Sequence, residues 1–577
     1  MVQINSFCGG SSKLVDSEFL GMEESLNMYP ETVTATDTYT TKMLKGVEGF
    51  DVGFSFEGEY FCGVGVVSSN PGAAVTESLL VISGENGTNV KNVYNIYGTT
   101  KTQVGTFEKA GQRCIIEETP NGIAIALLYN QALFAVNPAA SPAVTCSEVT
   151  LPDAFDHAGK IKPTQMAQLN FRVVLNDNNS DYIYWSELNR PTNASDTHAF
   201  EQYLTQYAYE KLDGTEVTFS DKVFYAPAEG SYVPGSLTTQ ETYTSSLNSM
   251  KMDFKADNVV ALRATDTSLF VFGKSSLEIL RWQNSTVAPF VIVYKTSACG
   301  VAWDEGVTVI GNECVYVGRG PGNMMGVFAV DENGNVRKLS TNAIDQRLSH
   351  FKHSAGTDFE YIRVFGYAWK GHQFIIASIK EKGGSGEETL CYDMTEGEWS
   401  DRASFDENGN RHEWCAKYSV SLEGTPYFVT ESASGLVRVT RFNKNSNSDR
   451  YLDDNDLVAP VHNIVRSRTT GIKYDGVNDI IVTGLELIMN AGATEVVNPA
   501  KEGYDPKLVL QVSVDGGRTW SDELWANAGR LGEYSWRVRW NALGRGARFA
   551  FRVKFTDPVP FEIATAYLSY IPCGNRI

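Results

Sequence analysis

The sequence has no long hydrophobic run. No stretch approaches the roughly 20 consecutive apolar residues that span a bilayer, and the first six residues lack the basic and apolar regions of a signal peptide. These absences predict a chain that is neither inserted in a membrane nor secreted by the usual route.

Paired cysteines and clustered metal ligands are also scarce. The nine cysteines are scattered singly and form no C-x-x-C pair, which predicts reduced thiols of a cytoplasmic fold. His350 and His353 are close enough in sequence to share a metal, and residues 453–456 (Asp-Asp-Asn-Asp) could bind calcium. Neither segment has the remaining ligands of a known site. We therefore expect no metal and no cofactor.

Basic residues are in the minority. The chain has 49 Lys and Arg against 69 Asp and Glu, a formal charge of −20. Because clustered Lys and Arg drive phosphate binding, this charge argues against a nucleic-acid coat protein and predicts that any DNA the chain meets passes without being tightly bound. Residues 501–577 are different: 11 Lys and Arg against 8 Asp and Glu give +3 and leave −23 for the rest. These opposite charges could guide assembly of subunits or attachment to another protein.

Helical periodicity is hard to find, whereas short runs of β-branched and aromatic residues recur between Gly, Asn and Asp. Such runs return about every 45–60 residues, near the repeat length of propeller blades. One of them ends in a turn with Gly397 and Trp399, which predicts a positive φ at the glycine and a tryptophan packed between blades. Four segments are predicted to be buried strands: residues 269–272, 314–317, 374–377 and 427–429.

The pattern predicts a mainly β fold with four parts. An extended N-terminal arm covers residues 1–45, and a β-propeller covers 46–460. A polar stretch at about 201–258 is predicted to be an insertion between blades, and the longer amphipathic strands of 461–577 predict a C-terminal β-sandwich-like domain.

One motif points toward sugar chemistry. The sequence S-x-D-x-G-x-T-W, the Asp box of sialidases, is present as Ser513, Asp515, Gly517, Thr519 and Trp520. Physically the box is a hairpin turn, in which the carboxylate accepts backbone N–H bonds and the tryptophan is expected to pack underneath. We therefore interpret these five residues as structural and predict no catalytic residue.

Enzyme signatures are otherwise missing. A sialidase also needs an arginine cluster, a tyrosine nucleophile and several boxes, and the sequence has a single box and no G-x-x-x-x-G-K-[ST], G-x-S-x-G or H-E-x-x-H motif. Two alternatives stay open, an Asp-box propeller that binds or cleaves glycans and an intracellular kelch-like interaction module.

Several segments resemble, in the same order, the packaged-DNA stabilisation or tail nozzle proteins of short-tailed bacteriophages. Residues 186–192 fit the family's S-x-L-N-x-P-T segment, and residues 337–344 are similar to its x-R-I-S-T-x-A-I segment. The most specific match is C-terminal, with the Asp box followed by residues 529–534 and 537–540. The resemblance covers about two thirds of the chain and accounts for the box without sugar chemistry.

The resemblance implies a structural protein of the virion, made in the host cytoplasm, with no enzymatic activity. It implies a homo-oligomeric ring, a hexamer, that forms part of the ejection channel and retains packaged DNA. The implied partners are the portal or head-to-tail adaptor proteins, tail fibre, spike or needle proteins, and double-stranded DNA in transient passage.

Overall fold

Strands dominate the computed structural model. Its described part contains one α-helix, α1, and no helix there is both long and apolar enough to cross a membrane. The chain divides into two compact units, one formed by Met1–Tyr60, Val301–Asp331 and Asn335–Ile577, the other by Phe61–Gly300 and Glu332–Gly334. The structure describes residues 2–575 apart from 5, 13–21, 37–38, 69–76, 120–121, 138–145, 191–197, 211–215, 221–237, 254–256, 284–288, 322–323, 351–358, 383–385, 407, 432–434, 444–445, 450–461 and 477.

Among the described residues, five strands precede the repeating sheets. They are β1 (Val2–Gln3), β2 (Glu24–Leu26), β3 (Met28–Thr36), β4 (Tyr39–Gly46) and β5 (Phe54–Phe56).

The unit that begins at Phe61 consists mainly of four-stranded, up-and-down sheets. The first contains β6 (Glu59–Ser68), β7 (Glu77–Glu85), β8 (Val90–Tyr97) and β9 (Thr100–Glu108), and the second contains β10 (Cys114–Glu118), β11 (Ala124–Leu128), β12 (Ala132–Val136) and β13 (Cys146–Val149). Neighbouring sheets share a core, in which Leu127 of β11 belongs to the same apolar cluster as Val173 and Leu175 of the next sheet. Burial on both faces explains why these strands are continuous apolar runs.

The third sheet contains the predicted insertion. It consists of β14 (Met166–Leu169), β15 (Arg172–Asn176), β16 (Tyr182–Trp185) and β20 (Ser249–Lys251). Between its last two strands the chain forms a separate three-stranded sheet of β17 (Glu201–Glu210), β18 (Glu216–Ser220) and β19 (Thr238–Leu247). The extra sheet therefore lies within one blade rather than between blades, because β16 pairs directly with β20 across it. The fourth sheet contains β21 (Val259–Ala264), β22 (Ser268–Gly273), β23 (Leu277–Trp282) and β24 (Phe290–Thr296).

The other unit contains three more blades. The first has β25 (Gly300–Val301), β26 (Val307–Ile310), β27 (Glu313–Arg319), β28 (Met325–Asp331) and β29 (Val336–Lys338), followed by α1 (Asn342–His350). The second has β30 (Phe359–Trp369), β31 (His372–Glu381), β32 (Glu387–Asp393) and β33 (Glu398–Arg402), followed by the short pair β34 (Ser404–Phe405) and β35 (Arg411–His412). The third has β36 (Ala416–Leu422), β37 (Thr425–Glu431) and β38 (Val437–Arg441).

The last blade is completed from the N-terminal side of the chain. Strand β38 pairs with β5, with Val439 opposite Phe54, so the fourth strand comes from a segment that precedes all the other blades. The pairing gives this blade its fourth strand and covers an edge of β38 that would otherwise be unpaired.

Two predictions about the blades are confirmed. The four segments expected to be buried strands lie in β22, β27, β31 and β37 and are buried. Gly397 has a φ of +70°, and Trp399 is 3% exposed in a cluster that includes Val315 of the preceding blade. The indole N–H of Trp399 also donates to the carbonyl oxygen of Leu339 at 3.0 Å.

The C-terminal region is a sandwich of two sheets. The region begins with β39 (Ser448–Asp449) and β40 (His462–Asn463), which pair in a separate two-stranded sheet. The sandwich strands that follow are β41 (Arg466–Thr469), β42 (Asn478–Met489), β43 (Lys507–Ser513), β44 (Leu524–Asn527), β45 (Val538–Gly546), β46 (Ala550–Phe555) and β47 (Glu562–Asn575). One sheet has the order β3-β4-β47-β42-β45, with β1 also paired to β47. Leu485 of this sheet and Leu510 and Phe551 of the other belong to one core.

The second sheet of the sandwich extends into a propeller blade. Nine strands follow one another in the order β30-β31-β32-β33-β2-β41-β46-β43-β44, so that β2 joins a propeller blade to the sandwich. Strands β1 to β4 of the predicted arm are built into these sheets, β1, β3 and β4 into one and β2 into the other. The sequence-derived boundaries at 45 and 461 stay predictions.

Candidate functional site

The Asp box lies in the connection between β43 and β44, which pair with each other as a hairpin. Asp515 Oδ1 accepts hydrogen bonds from the Ser513 hydroxyl at 2.7 Å and from the Thr519 backbone N–H at 3.0 Å, and Oδ2 accepts from the Thr519 hydroxyl at 2.6 Å. Gly517 has a φ of +91° and donates its N–H to the Ser513 hydroxyl at 2.7 Å. These bonds, above all those from Thr519, hold the pKa of the Asp515 carboxyl well below its usual value. The carboxylate is therefore engaged by its own turn.

Trp520 is placed differently from the expectation. It is half-buried and stands outside the sandwich core, rather than packing fully underneath the turn. The Arg552 guanidinium lies over its ring, 4.0 Å from the ring centre. The indole therefore contributes through a cation–π contact and partial burial.

A second group of residues stands where β2 joins the blade to the sandwich; we call it the junction. Leu26 of β2 is opposite Asp401 of β33 in a parallel pair and opposite Ser467 of β41 in an antiparallel pair. Asn27 follows β2 with a φ of +53°, and its side-chain amide donates to the carbonyl oxygens of Ala403 at 2.8 Å and Val465 at 2.9 Å. One side chain thus bonds to both the blade and the sandwich.

Asp401 is the charged centre of the junction, and its side chain is 0% exposed. It pairs with Arg347 of α1, which also bonds Glu388 through Nη2 and Oε1 at 2.7 Å, and Arg411 lies 3.8 Å away. The Ser11 hydroxyl completes the group with a 2.6 Å hydrogen bond to Asp401. Burial alone would raise the pKa of Asp401, but the Arg347 and Arg411 guanidiniums outweigh burial and hold this pKa below its usual value.

Two further buried arginines hold the N-terminal segment against the sandwich. Arg468 donates to the carbonyl oxygens of Gly10 at 2.9 Å and Ser6 at 2.6 Å, and Arg466 donates to that of Val47 at 2.8 Å. Gly10 lies so close to β33 that a Cβ atom there would be 2.4 Å from the Trp399 carbonyl oxygen. Ser6 and Gly10 are therefore in close contact with the sandwich and with β33, respectively.

The sequence did not reveal the junction, because its members come from distant parts of the chain. Buried arginines are rare, and Arg466 and Arg468 alternate along β41, but this spacing alone does not identify their partners.

A second cluster, of potential metal ligands, was missed because its members are also separated in the sequence. Asp156, His157 and Asp177 place potential metal-ligand atoms within 4.8 Å of one another.

In this cluster the potential ligand atoms of His157 and Asp177 already form hydrogen bonds within the protein. His157 Nε2 is 2.6 Å from Asp177 Oδ2, and Asp177 Oδ1 accepts the Lys162 backbone N–H at 2.7 Å. The hydrogen bond with the Ala158 carbonyl oxygen and the bond with Asp177 raise the pKa of His157. The other candidates, His353 and residues 453–456, lie outside the described residues, as does the His350 side chain. No disulfide links the nine cysteines, all of which are described.

Comparisons with known proteins match both domains of the chain. The family model described as bacteriophage P22 Gp10, beta-propeller, matches residues 152–404, and the model described as bacteriophage P22 Gp10, beta-sandwich, matches residues 466–570. Together the two models cover well over half of the chain. The predicted fold class, mainly β with a propeller and a sandwich, is confirmed.

The other two comparisons add little. No curated protein matches the chain. Among solved structures, the β-propeller domain of Cps50 (Swd1) from Myceliophteria thermophila matches with a TM-score of 0.38 and 10% identity, covering 69% of this chain and 100% of that one. The family assignment therefore depends on the two domain models. They show that the chain belongs to the family of bacteriophage P22 Gp10, the tail nozzle or DNA-stabilisation proteins of short-tailed phages, and is a structural component of a phage virion.

Proposed function

We propose that this chain forms a homo-oligomeric ring, a hexamer, in the phage tail below the portal or its adaptor, and that the ring helps to retain the packaged genome. The observation that carries the proposal is the match of both domains to the P22 Gp10 models. A pressurised genome pushes outward through the portal, and a ring docked beneath it narrows the exit and offers a platform for the terminal plug of the tail.

The charge of the chain supports a channel that DNA passes without being held. A net charge of −20 repels the phosphate backbone, whereas a surface of clustered Lys and Arg would retard sliding. Transient passage of double-stranded DNA through such a ring needs no specific contact with the bases.

The contacts at the junction support a structural role for the chain in the wall of a channel. A wall that encloses pressurised DNA has to keep its shape, and the nine-stranded sheet connects blade and sandwich by continuous backbone hydrogen bonds. The buried group around Asp401 adds an ion pair with Arg347, 54 positions away, and a hydrogen bond from Ser11, 390 positions away. Breaking such a group leaves an uncompensated buried charge, which is strongly unfavourable.

The proposed role includes no catalysis. The Asp515 carboxylate is engaged by Ser513 and Thr519 of its own turn, so the residue that suggested a glycan-directed propeller serves to hold a hairpin. The structural character of the matched families supports the same conclusion. The partners in this proposal are portal or adaptor proteins above the ring and fibre, spike or needle proteins at or below it.

Cryo-electron microscopy of filled particles tests the position of the chain. We expect six copies around the tail axis, next to the portal or adaptor. A position in the head shell, or on peripheral fibres alone, would contradict the proposal. Duplex-binding measurements on the purified chain test the charge argument separately. We expect weak binding at physiological salt, and tight, salt-resistant binding would be incompatible with a freely sliding genome.

A further inference from the structure

One side of the sandwich carries an unusual density of exposed aromatic residues. Trp525 lies on β44, and Tyr534 and Trp536 lie in the connection from β44 to β45; their exposed fractions are 62%, 70% and 45%. Leu524 and Leu531 in the same segment are also exposed. We call these five residues the sandwich rim. Large exposed apolar groups that cluster in this way mark interaction surfaces.

The rim coincides with two unpaired strand edges. Among the described residues, β44 is the last strand of one sheet and β45 the last strand of the other. The two strands lie on the same side of the sandwich, because the Trp540 indole N–H on β45 donates to the Leu524 carbonyl oxygen on β44 at 2.9 Å. The Trp536 indole N–H likewise donates to the Asn527 carbonyl oxygen at 2.8 Å. An unpaired strand edge that carries exposed apolar side chains, as β44 does, favours association with another chain.

Two arginines of the same sandwich, Arg537 next to the rim residue Trp536 and Arg545 on β45, present their guanidinium groups outward. Arg537 is 65% exposed and bonds Glu486 through two contacts of 2.7 Å, while the Glu486 side chain is only 7% exposed. Arg545 on β45 bonds Asp479 at 3.2 Å in the same arrangement. The carboxylates of Glu486 and Asp479 thus lie buried beneath the arginine side chains, and the guanidinium groups face solvent. Tyr, Trp and Arg are the residues most enriched among the energetically dominant contacts of protein interfaces.

We infer that the sandwich rim is the surface by which one copy of this chain docks onto the acidic remainder of a second copy. The reason for a second copy is charge complementarity: residues 501–577 carry +3 and the rest of the chain −23. A contact between two different surfaces of identical subunits is head-to-tail, and such contacts close into rings when the rotation permits. The inference rests on the proposed ring and adds the surface that forms it.

Sedimentation velocity of the purified full chain over a concentration series tests this docking. Trp525→Ala combined with Tyr534→Ala should weaken self-association about 30-fold or more, and the wild-type association should weaken with rising salt. Both side chains are mostly exposed, so the urea midpoint should not change. Tyr474→Ala is the matched control, since Tyr474 is 67% exposed on the sandwich but outside the rim; its association should equal that of wild type.

The outcomes separate the rim from the ring. If the double variant assembles like wild type, the rim inference is wrong and the proposed ring stands. If the wild type stays monomeric at every concentration, the rim inference and the proposed ring are both wrong. Genome retention is tested separately, by the DNA content of particles that lack the chain. Unchanged assembly with reduced binding to single-stranded DNA, or to isolated portal–adaptor particles, would assign the rim to that partner instead.

Photo-crosslinking tests the head-to-tail geometry. A benzophenone amino acid in place of Trp525, in rings mixed from light and ¹⁵N-labelled chains, should give light–heavy crosslinks to residues before 501. Crosslinks from rim to rim would show a symmetric contact and overturn the charge argument.

Discussion

The hydroxyl of Ser11 donates a 2.6 Å hydrogen bond to Asp401, a residue 390 positions later in the chain. The same carboxylate pairs with Arg347 of α1 and is 0% exposed. A segment near the N-terminus, a propeller blade and a helix therefore meet at one buried charge, at the point where β2 connects the blade to the sandwich.

The first prediction concerns this charge. Asp401→Asn keeps the size of the side chain but leaves Arg347 with one buried partner fewer, and it should destabilise the protein by about 3–5 kcal/mol. The matched control is Glu313→Gln, which removes the more exposed 2.6 Å pair with Arg337 and should cost less than about 1 kcal/mol. Urea denaturation measures both, and equal losses would show that the junction is not a special point of stability.

The second prediction is a pH dependence. Because the folded-state pKa of Asp401 is lowered, its ionised form contributes stability above the unfolded pKa of about 3.9. This contribution is lost as the pH falls through the folded pKa. The gap in urea midpoint between wild type and Asp401→Asn should therefore be widest near pH 7 and narrow toward pH 3. A gap that stays constant would mean that the charge of Asp401 is not what stabilises the junction.

The third prediction concerns the Asp box. Asp515→Ala removes the acceptor for the Thr519 N–H and hydroxyl. Because this turn is open to water, which can replace part of the lost bonding, the cost should be about 1 kcal/mol. Asp522→Ala, an exposed carboxylate in the same connection, should be neutral. Differential scanning calorimetry compares the two, and identical melting curves would contradict a stabilising role for the box.

The fourth prediction compares two tryptophans. Trp399 is 3% exposed, so Trp399→Ala should leave a cavity and cost about 3–5 kcal/mol. Trp520 is half-buried under Arg552, and Trp520→Ala should cost only about 1–2 kcal/mol, mainly lost cation–π contact and partial burial. A larger loss for Trp520 would place it in the core, against the structure.

Local features were the ones that the sequence predicted well. The blade turn at Gly397 and Trp399 follows from one positive φ and one large apolar side chain, both of which are visible in a few consecutive residues. The Asp-box turn at Asp515 is equally local. The sequence pattern does not show which side of a turn packs against the core. The prediction that Trp520 packs underneath the turn therefore overestimated its burial.

Long-range pairing could not be derived from local pattern. Strand β2 has only three residues, and nothing in Glu24–Leu26 indicates that it pairs with β33 on one side and β41 on the other. Its position is fixed by side chains such as Asn27 and Ser11, whose partners are hundreds of residues away. The insertion was similarly misplaced between blades, because the pairing of β16 with β20 skips the residues that separate them.

The DNA content of particles assembled without this chain tests the central claim most directly. Phage grown with a nonsense mutation in its gene should package DNA and then lose it, so that nuclease-protected genome per head falls and electron microscopy shows empty heads without tails. Supplying the wild-type chain in trans should restore filled heads. Stable, infectious, DNA-filled particles that lack the chain would contradict the account.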